Sequence, residues 1–184
     1  ENSRLWDQFY AGNFIAIGWD YLGDLKNYDS KEAVERKIAE HRADGKRPFN
    51  DTKAVWDFCH EMQSGDVIFV KDGVKKVIAR GVVTSDYFFD NDAEEYKHRR
   101  SVKWLQVGKW ELRHAFTQKT LTCLNNYPNF IQEIEQKNEE KLSRTQQLNT
   151  IKVQALHELG YSDINESNAA EVFEKIAEIQ SRKV

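Results

Sequence analysis

The chain is short of the residues from which metal sites, disulfide scaffolds and phosphate loops are made. It has two cysteines, Cys59 and Cys123, far apart and with no histidine at ligand spacing. Neither a disulfide framework nor a zinc site is expected, and a reducing cytoplasm is the default compartment. The glycines are scattered: Gly18, Gly23, Gly65, Gly73 and Gly81 never assemble into a G-x-x-x-x-G-K-S/T loop. No G-x-S-x-G elbow occurs, and His60-Glu61 lacks a second histidine four residues on, so it reads as a solvated pair. His41, His114 and His157 stand alone, and His98 beside Arg99 reads as a surface or loop residue rather than a general base. No stretch approaches the roughly 20 apolar residues that cross a bilayer, and no signal pattern opens the chain. These absences leave little support for a catalytic centre, and none of them points to a metal, a cofactor or a membrane partner. The opening Glu1, in place of Met, is what a piece of a longer protein would show.

What is present describes a globular protein. The chain has 184 residues, 40% of them hydrophobic and 31% charged, enough for one domain with an appendage. Aromatic content is 12%, including five tryptophans. The net charge is only −3, yet Lys97 to Arg113 holds six Lys/Arg against the single acid Glu111, a local excess of +5. Aromatics are interleaved with these cations: Tyr87-Phe88-Phe89 before them, Tyr96, Trp104 and Trp110 among them. Such a surface suits an anion that carries bases. The bland alternative is a solvated charged face, paired with the upstream Glu94 and Glu95.

Periodicity gives the elements. Phe14 to Trp19 reads as a buried strand with Ile15, Ile17 and Trp19 on one face. A helix starts at Asp29 or Ser30 and stops by Gly45. A second runs from about Thr52 to Gln63, with Val55, Phe58, Cys59 and Met62 as its core stripe and Trp56 one position off it. Strands are expected at Val67 to Lys71 and Val77 to Thr84 around an Asp72-Gly73 turn, then at Ser101 to Val107 and Trp110 to Arg113 around Gly108. After Thr117 the pattern becomes helical: Pro128 to about Ser143, a helix ending at Gly160, and a last one capped by Asn168 and Glu171. This sets a sheet domain over 1–116 and a helical extension or linker over 117–184.

Phe14-Ile-Ala-Ile-Gly-Trp19, Gly23-Asp24-Leu25, Trp56-Asp-Phe58, Gly65-Asp66-Val67-Ile68, Arg80-Gly81-Val82-Val83, Asp86-Tyr87-Phe88 and Tyr96-x-His98-Arg99-Arg100-x-Val102-x-Trp104 together resemble the EVE-type domains of the PUA superfamily. Among these, the string is similar to the domains at the N-terminus of McrB-type restriction proteins; YTH domains share the fold. The resemblance implies an α+β fold: a small, strongly curved, mixed β-barrel flanked by helices, here with a C-terminal helical tail. It further implies a DNA-binding reader that flips a modified base, methylated for instance, into an aromatic cage. Trp19 and Trp56 would be the cage walls, with Tyr21, Tyr87 or Phe88 closing it and Asp24 accepting from an exocyclic amine. Lys75, Lys76, Arg80, Lys97, Arg99, Arg100 and Lys103 would hold the nucleic-acid backbone. The partners implied are DNA with a modified base, an AAA+ GTPase motor in cis and a nuclease subunit in trans. An RNA-binding or nucleotide-sensing module on the same fold is the alternative, and an enzyme with an unrecognised site is a third.

Overall fold

The computed structural model describes residues 5–181. The fold is α+β, built on an antiparallel sheet curled into a half-barrel. Its strands are β1 (Phe14–Ile17), β2 (Val67–Asp72), β3 (Lys76–Val83), β4 (Phe88–Phe89) and β5 (His98–Glu111). They are ordered β1-β5-β3-β2, with β4 also paired to β5. Every pairing is antiparallel, so the sheet is not mixed as expected. The reason is local: hairpin-length links join β2 to β3, and the long β5 returns against both β1 and β3.

β5 is the spine. The sequence reading breaks it at Gly108, but it runs unbroken for 14 residues. Ala79 faces Val107 while Val77 faces Trp110, so a bulge opposite Ile78 absorbs Gly108 without a turn. A second irregularity lies where Arg80 faces Gln106 and Gly81 faces Trp104. There the two backbones run close, and a Cβ on Gly81 would sit 2.7 Å from Val102 Cγ1 and 2.9 Å from Trp104 Cε3. Two bulges in one pair of strands increase the twist and curl the sheet. Along β5, His98, Arg100, Val102 and Trp110 are buried, whereas Lys103, Leu105, Val107 and Lys109 are exposed. The two-residue period therefore divides the basic segment between two faces.

Helices α1 (Trp6–Ala11), α2 (Lys31–His41) and α3 (Phe49–Trp56) accompany the sheet. Ser30 caps α2, its hydroxyl accepting from Ala33 N at 3.2 Å. Val34 and Ile38 of α2 join Val55, Phe58, Ile17, Leu22, Leu25 and Tyr87 in the main core. Residues expected to continue α3 instead widen into a π-turn, Asp57–Glu61, closed by Met62 N donating to Asp57 O at 2.8 Å.

The chain divides into two compact units, up to Phe130 and from Ile131 onward, beyond the expected boundary at residue 116. The segment after 116 stays with the sheet. Lys71 Nζ donates to the carbonyls of Thr117 and Lys119, both at 2.7 Å, and Leu121 packs on the main core. Helix α4 (Pro128–Leu159) is one helix where two are expected, because no Gly or Pro interrupts it after Pro128. The second unit holds the rest of α4 together with α5 (Ala169–Ser181). Its own small core is Ile151, Ala155, Leu156, Val172 and Ile179. Among the described residues no helix is long and apolar enough to cross a membrane.

Candidate functional site

β1 ends at Ile17, and Trp19 then takes a left-handed backbone conformation, φ 68°, which throws the chain into a 3-10 turn, Asp20–Leu22. A second such turn, Leu25–Asn27, is capped by Asp24, whose carboxylate accepts from Lys26 N at 3.0 Å. Positive φ is costly for a large side chain, so the loop must be held from outside. A buried hydrogen-bond chain holds it. His98 Nε2 lies 3.1 Å from Trp19 O, and its Nδ1 lies 2.8 Å from Tyr87 Oη. Facing a carbonyl, Nε2 must carry the proton; Nδ1 therefore accepts from the Tyr87 hydroxyl. Tyr87 Oη in turn accepts from Leu25 N at 3.1 Å. Asp20 adds a second strap, accepting from the backbone N–H groups of Tyr96 and Lys97, each at 2.9 Å. Burial holds His98 below its ordinary value and pushes the Tyr87 hydroxyl up, so both stay neutral in the chain they form.

Beside this loop lies a polar pocket of about 320 Å³, lined by Lys26, Cys59, His60, Met62, Gln63, Asp86, Tyr87 and Arg100. Its floor is the buried Arg100, 2% exposed. The guanidinium binds the π-turn: Nε donates to Phe58 O at 2.7 Å and Nη2 to Cys59 O at 2.9 Å. Nη1 donates to Ser85 O at 3.1 Å. Lys26, His60, Gln63 and Asp86 are the exposed groups around it. His60 is stacked on Trp56, ring centroids 3.9 Å apart and planes 25° from parallel. Burial pushes the Cys59 thiol up to about 11, leaving it an inert wall. The pocket thus combines donors, one carboxylate and a two-ring stack. It suits a small polar planar molecule better than an apolar one.

The sequence-predicted base contacts separate around this pocket. Tyr87 lines it, but with its hydroxyl consumed internally and only 2% of its surface exposed, so it is not an open cage wall. Trp56 stands one ring behind, through His60, and is half-buried against the main core, as is Trp19. Asp24 is half-buried, and its charge acts on Tyr87, Cys59 and His98. Tyr21 is exposed and stacked on His41 at 3.7 Å. Phe88 is exposed and opposite Arg99 in register, whereas Phe89 turns to His98.

The predicted backbone cations also divide. Arg100 is corrected outright: its register opposite Ile15 places it on the core side. Arg99 is held by Asp90, Nη1 to Oδ2 2.6 Å, and lies 4.3 Å over the Phe14 ring, with 15% of its side chain exposed. Lys97 Nζ reaches Asn91 O at 3.3 Å. Arg80 is half-buried on β3, while Lys75, Lys76 and Lys103 are exposed. His98, expected at the surface, is fully buried. Sequence reasoning passes over Lys26, Gln63 and Asp86 as site residues, and His60, expected only as a solvated pair with Glu61, stands at the pocket stacked on Trp56. The four-residue spacing of Trp56 and His60 was a readable sign that they meet on one helical face.

A separate apolar cavity of about 310 Å³ is walled by Trp6, Phe9, Ile15, Ile17, Val70 and Trp104 among others. None of the predicted site residues lines it. A family model described as a domain of unknown function (DUF8426) matches residues 1–125. No curated protein and no solved structure matches the chain.

Proposed function

The chain belongs to the DUF8426 family of domains of unknown function, and we propose that it is a reader domain that takes up a modified base drawn out of DNA. On this reading the half-barrel is of the PUA type. The chain is then the recognition piece of a McrB-type restriction system, whose GTPase motor and nuclease lie elsewhere. The observation that carries the proposal is the polar pocket beside the locked Trp19–Asn27 loop, with the stacked His60 and Trp56 rings at its side. A base entering it would stack on His60 backed by Trp56 and meet Lys26, Asp86 and Arg100 at its edges. Stacking on an aromatic side chain is worth about 1–3 kcal/mol per base. Extracting a base costs a few kcal/mol, so edge contacts and phosphate contacts must supply the remainder.

The test is a panel of duplexes differing by one modified base. Trp56→Ala and His60→Ala are expected to lose selection between modified and plain duplex by about tenfold or more while the fold is kept. Unchanged selection in a folded double variant would overturn the proposal.

A second reading, RNA binding or sensing of a free modified nucleotide, is favoured by one specific observation. The burial of Arg100 and the pairing of Arg99 remove two of the expected phosphate contacts. Duplex binding through Lys75, Lys76 and Lys103 predicts a log K against log salt slope of about −0.9 per phosphate neutralised. A slope near zero, with a free nucleotide competing fully, would favour this second reading.

A further inference from the structure

The proposed base pocket is floored by a cation that its surroundings only partly satisfy. A guanidinium carries five N–H donors. Three of those on Arg100 reach the carbonyls of Phe58, Cys59 and Ser85, which leaves one on each terminal nitrogen. Arg100 forms no ion pair with a carboxylate among the described residues. A charge buried with no counter-ion is costly unless a ligand or a set of dipoles completes its shell. The same pocket carries one carboxylate, Asp86, on the loop that also supplies Ser85 O. Tyr87 Oη adds nothing to the edge chemistry, since it already donates to His98 and accepts from Leu25.

A guanidinium and a carboxylate on one pocket ask for a ligand with a pair of acceptors and a pair of donors on neighbouring edges. A bare anion would set its charge against Asp86. Adenine offers a single amine between acceptors, and a pyrimidine has only one donor group to give a carboxylate. Guanine has O6 and N7 as adjacent acceptors, the pair that Arg binds bidentately, and N1–H with the 2-amino group as adjacent donors. Two parallel N–H···O bonds to a carboxylate are the strong arrangement. We propose that this pocket reads guanine, with the remaining Arg100 N–H groups on O6 and N7, and the Asp86 carboxylate on N1–H and the 2-amino group. Lys26, exposed at the mouth, is placed for the sugar-phosphate, and His60 on Trp56 supplies the stacking face. This assignment rests on the base-pocket reading above and names the base.

The experiment titrates the full chain with GMP, IMP, AMP, CMP and UMP, following the backbone amide resonances of His60 and Tyr87. GMP is expected to bind tightest. IMP, which lacks only the 2-amino group, is expected to bind several-fold more weakly. Asp86→Asn is an exposed substitution that leaves the core untouched. It is expected to lower GMP affinity by about 10–100-fold, the scale of one bidentate base contact. It should also erase the GMP–IMP difference, which a merely structural role for Asp86 would leave in place. Equal binding of AMP or CMP, or a GMP affinity insensitive to Asp86→Asn, overturns the guanine assignment and leaves the base pocket standing. Absence of GMP binding also overturns it. If the modified-duplex panel then shows no selection either, the base-reading function falls with it.

Discussion

Tyr87 does the most of any single side chain to hold the site in place. Its hydroxyl both donates to His98 and accepts from Leu25, so that two loops and β5 are tied through one oxygen. Tyr87→Phe keeps the ring and strands both partners in the interior. A destabilisation of about 1–3 kcal/mol is expected, read as a lower urea midpoint with an unchanged m value. His98 gives the same chain a pH dependence. Its folded value lies below the ordinary 6.5, so on acidification the unfolded chain takes up the proton first. This contribution is whole above about 6.5 and is lost as pH falls from there through the folded value. Replacing His98 by Gln should flatten the stability slope in that window; an equal slope in both proteins would remove His98 as its source. Such a residue was only half legible. The run His98-Arg99-Arg100 announces charge, which taken by itself suggests one basic surface. The two-residue period of a strand, applied to the same letters, sends His98 and Arg100 inward and Arg99 outward. What no pattern could supply was the acceptor set that makes an inward arginine tolerable, since the carbonyls of Phe58, Cys59 and Ser85 come from two other segments.

At the scale of elements, the curl of the sheet decides where the pocket can be, and the β3–β5 crossing makes the curl. Gly81 is the residue that lets the strands approach there. An added methyl would meet Val102 Cγ1 at 2.7 Å and Trp104 Cε3 at 2.9 Å, with Lys103 O at 3.2 Å. Val102 is β-branched and buried, so it has little room to turn aside. Gly81→Ala is therefore expected to cost about 1–3 kcal/mol by overpacking. Val102→Ala removes the nearest clashing atom, so the double variant should lose less than the sum of the two single losses. Strict additivity in urea titrations would show that the two sites do not share the strain. Strands bounded by turn signals, such as β1, β2 and β3, were readable because their apolar runs are short and punctuated. The joining of two expected strands into β5, and of two expected helices into α4, was not. A glycine inside a bulge resembles a turn, and a polar stretch without Gly or Pro resembles a linker, until the pairing or the helix itself is seen. The π-turn at Asp57–Glu61 lies beyond any periodicity argument, because it depends on Arg100 reaching its carbonyls from β5.

At the scale of the whole molecule, the two compact units have unequal means of staying folded. The unit up to Phe130 has a core of nine buried side chains with Trp19, Trp56, Met62 and others packed against it. Among the described residues, the packed cluster of the unit from Ile131 onward has five, and one of those is Ala155. Helices with so little shared core are marginal, because burial grows faster than surface only as a unit becomes larger. The chain also carries its own reporters. All five tryptophans, Trp6, Trp19, Trp56, Trp104 and Trp110, lie in the first unit, whereas α5 and nearly all of the 32-residue α4 lie in the second. Tryptophan fluorescence therefore follows the sheet unit, and the far-ultraviolet helix signal follows mainly the other. Unfolding in urea is expected to be non-coincident, with helix signal lost at a lower midpoint and fluorescence changing later. Ligand should then sharpen the distinction. A base or nucleotide held by Lys26, Asp86 and Arg100 stabilises only the unit that contains them, so saturating ligand moves the fluorescence midpoint upward and leaves the helix midpoint where it was. Superimposable curves from the two probes would mean that the units unfold as one cooperative body, and a ligand that moved both midpoints equally would say the same.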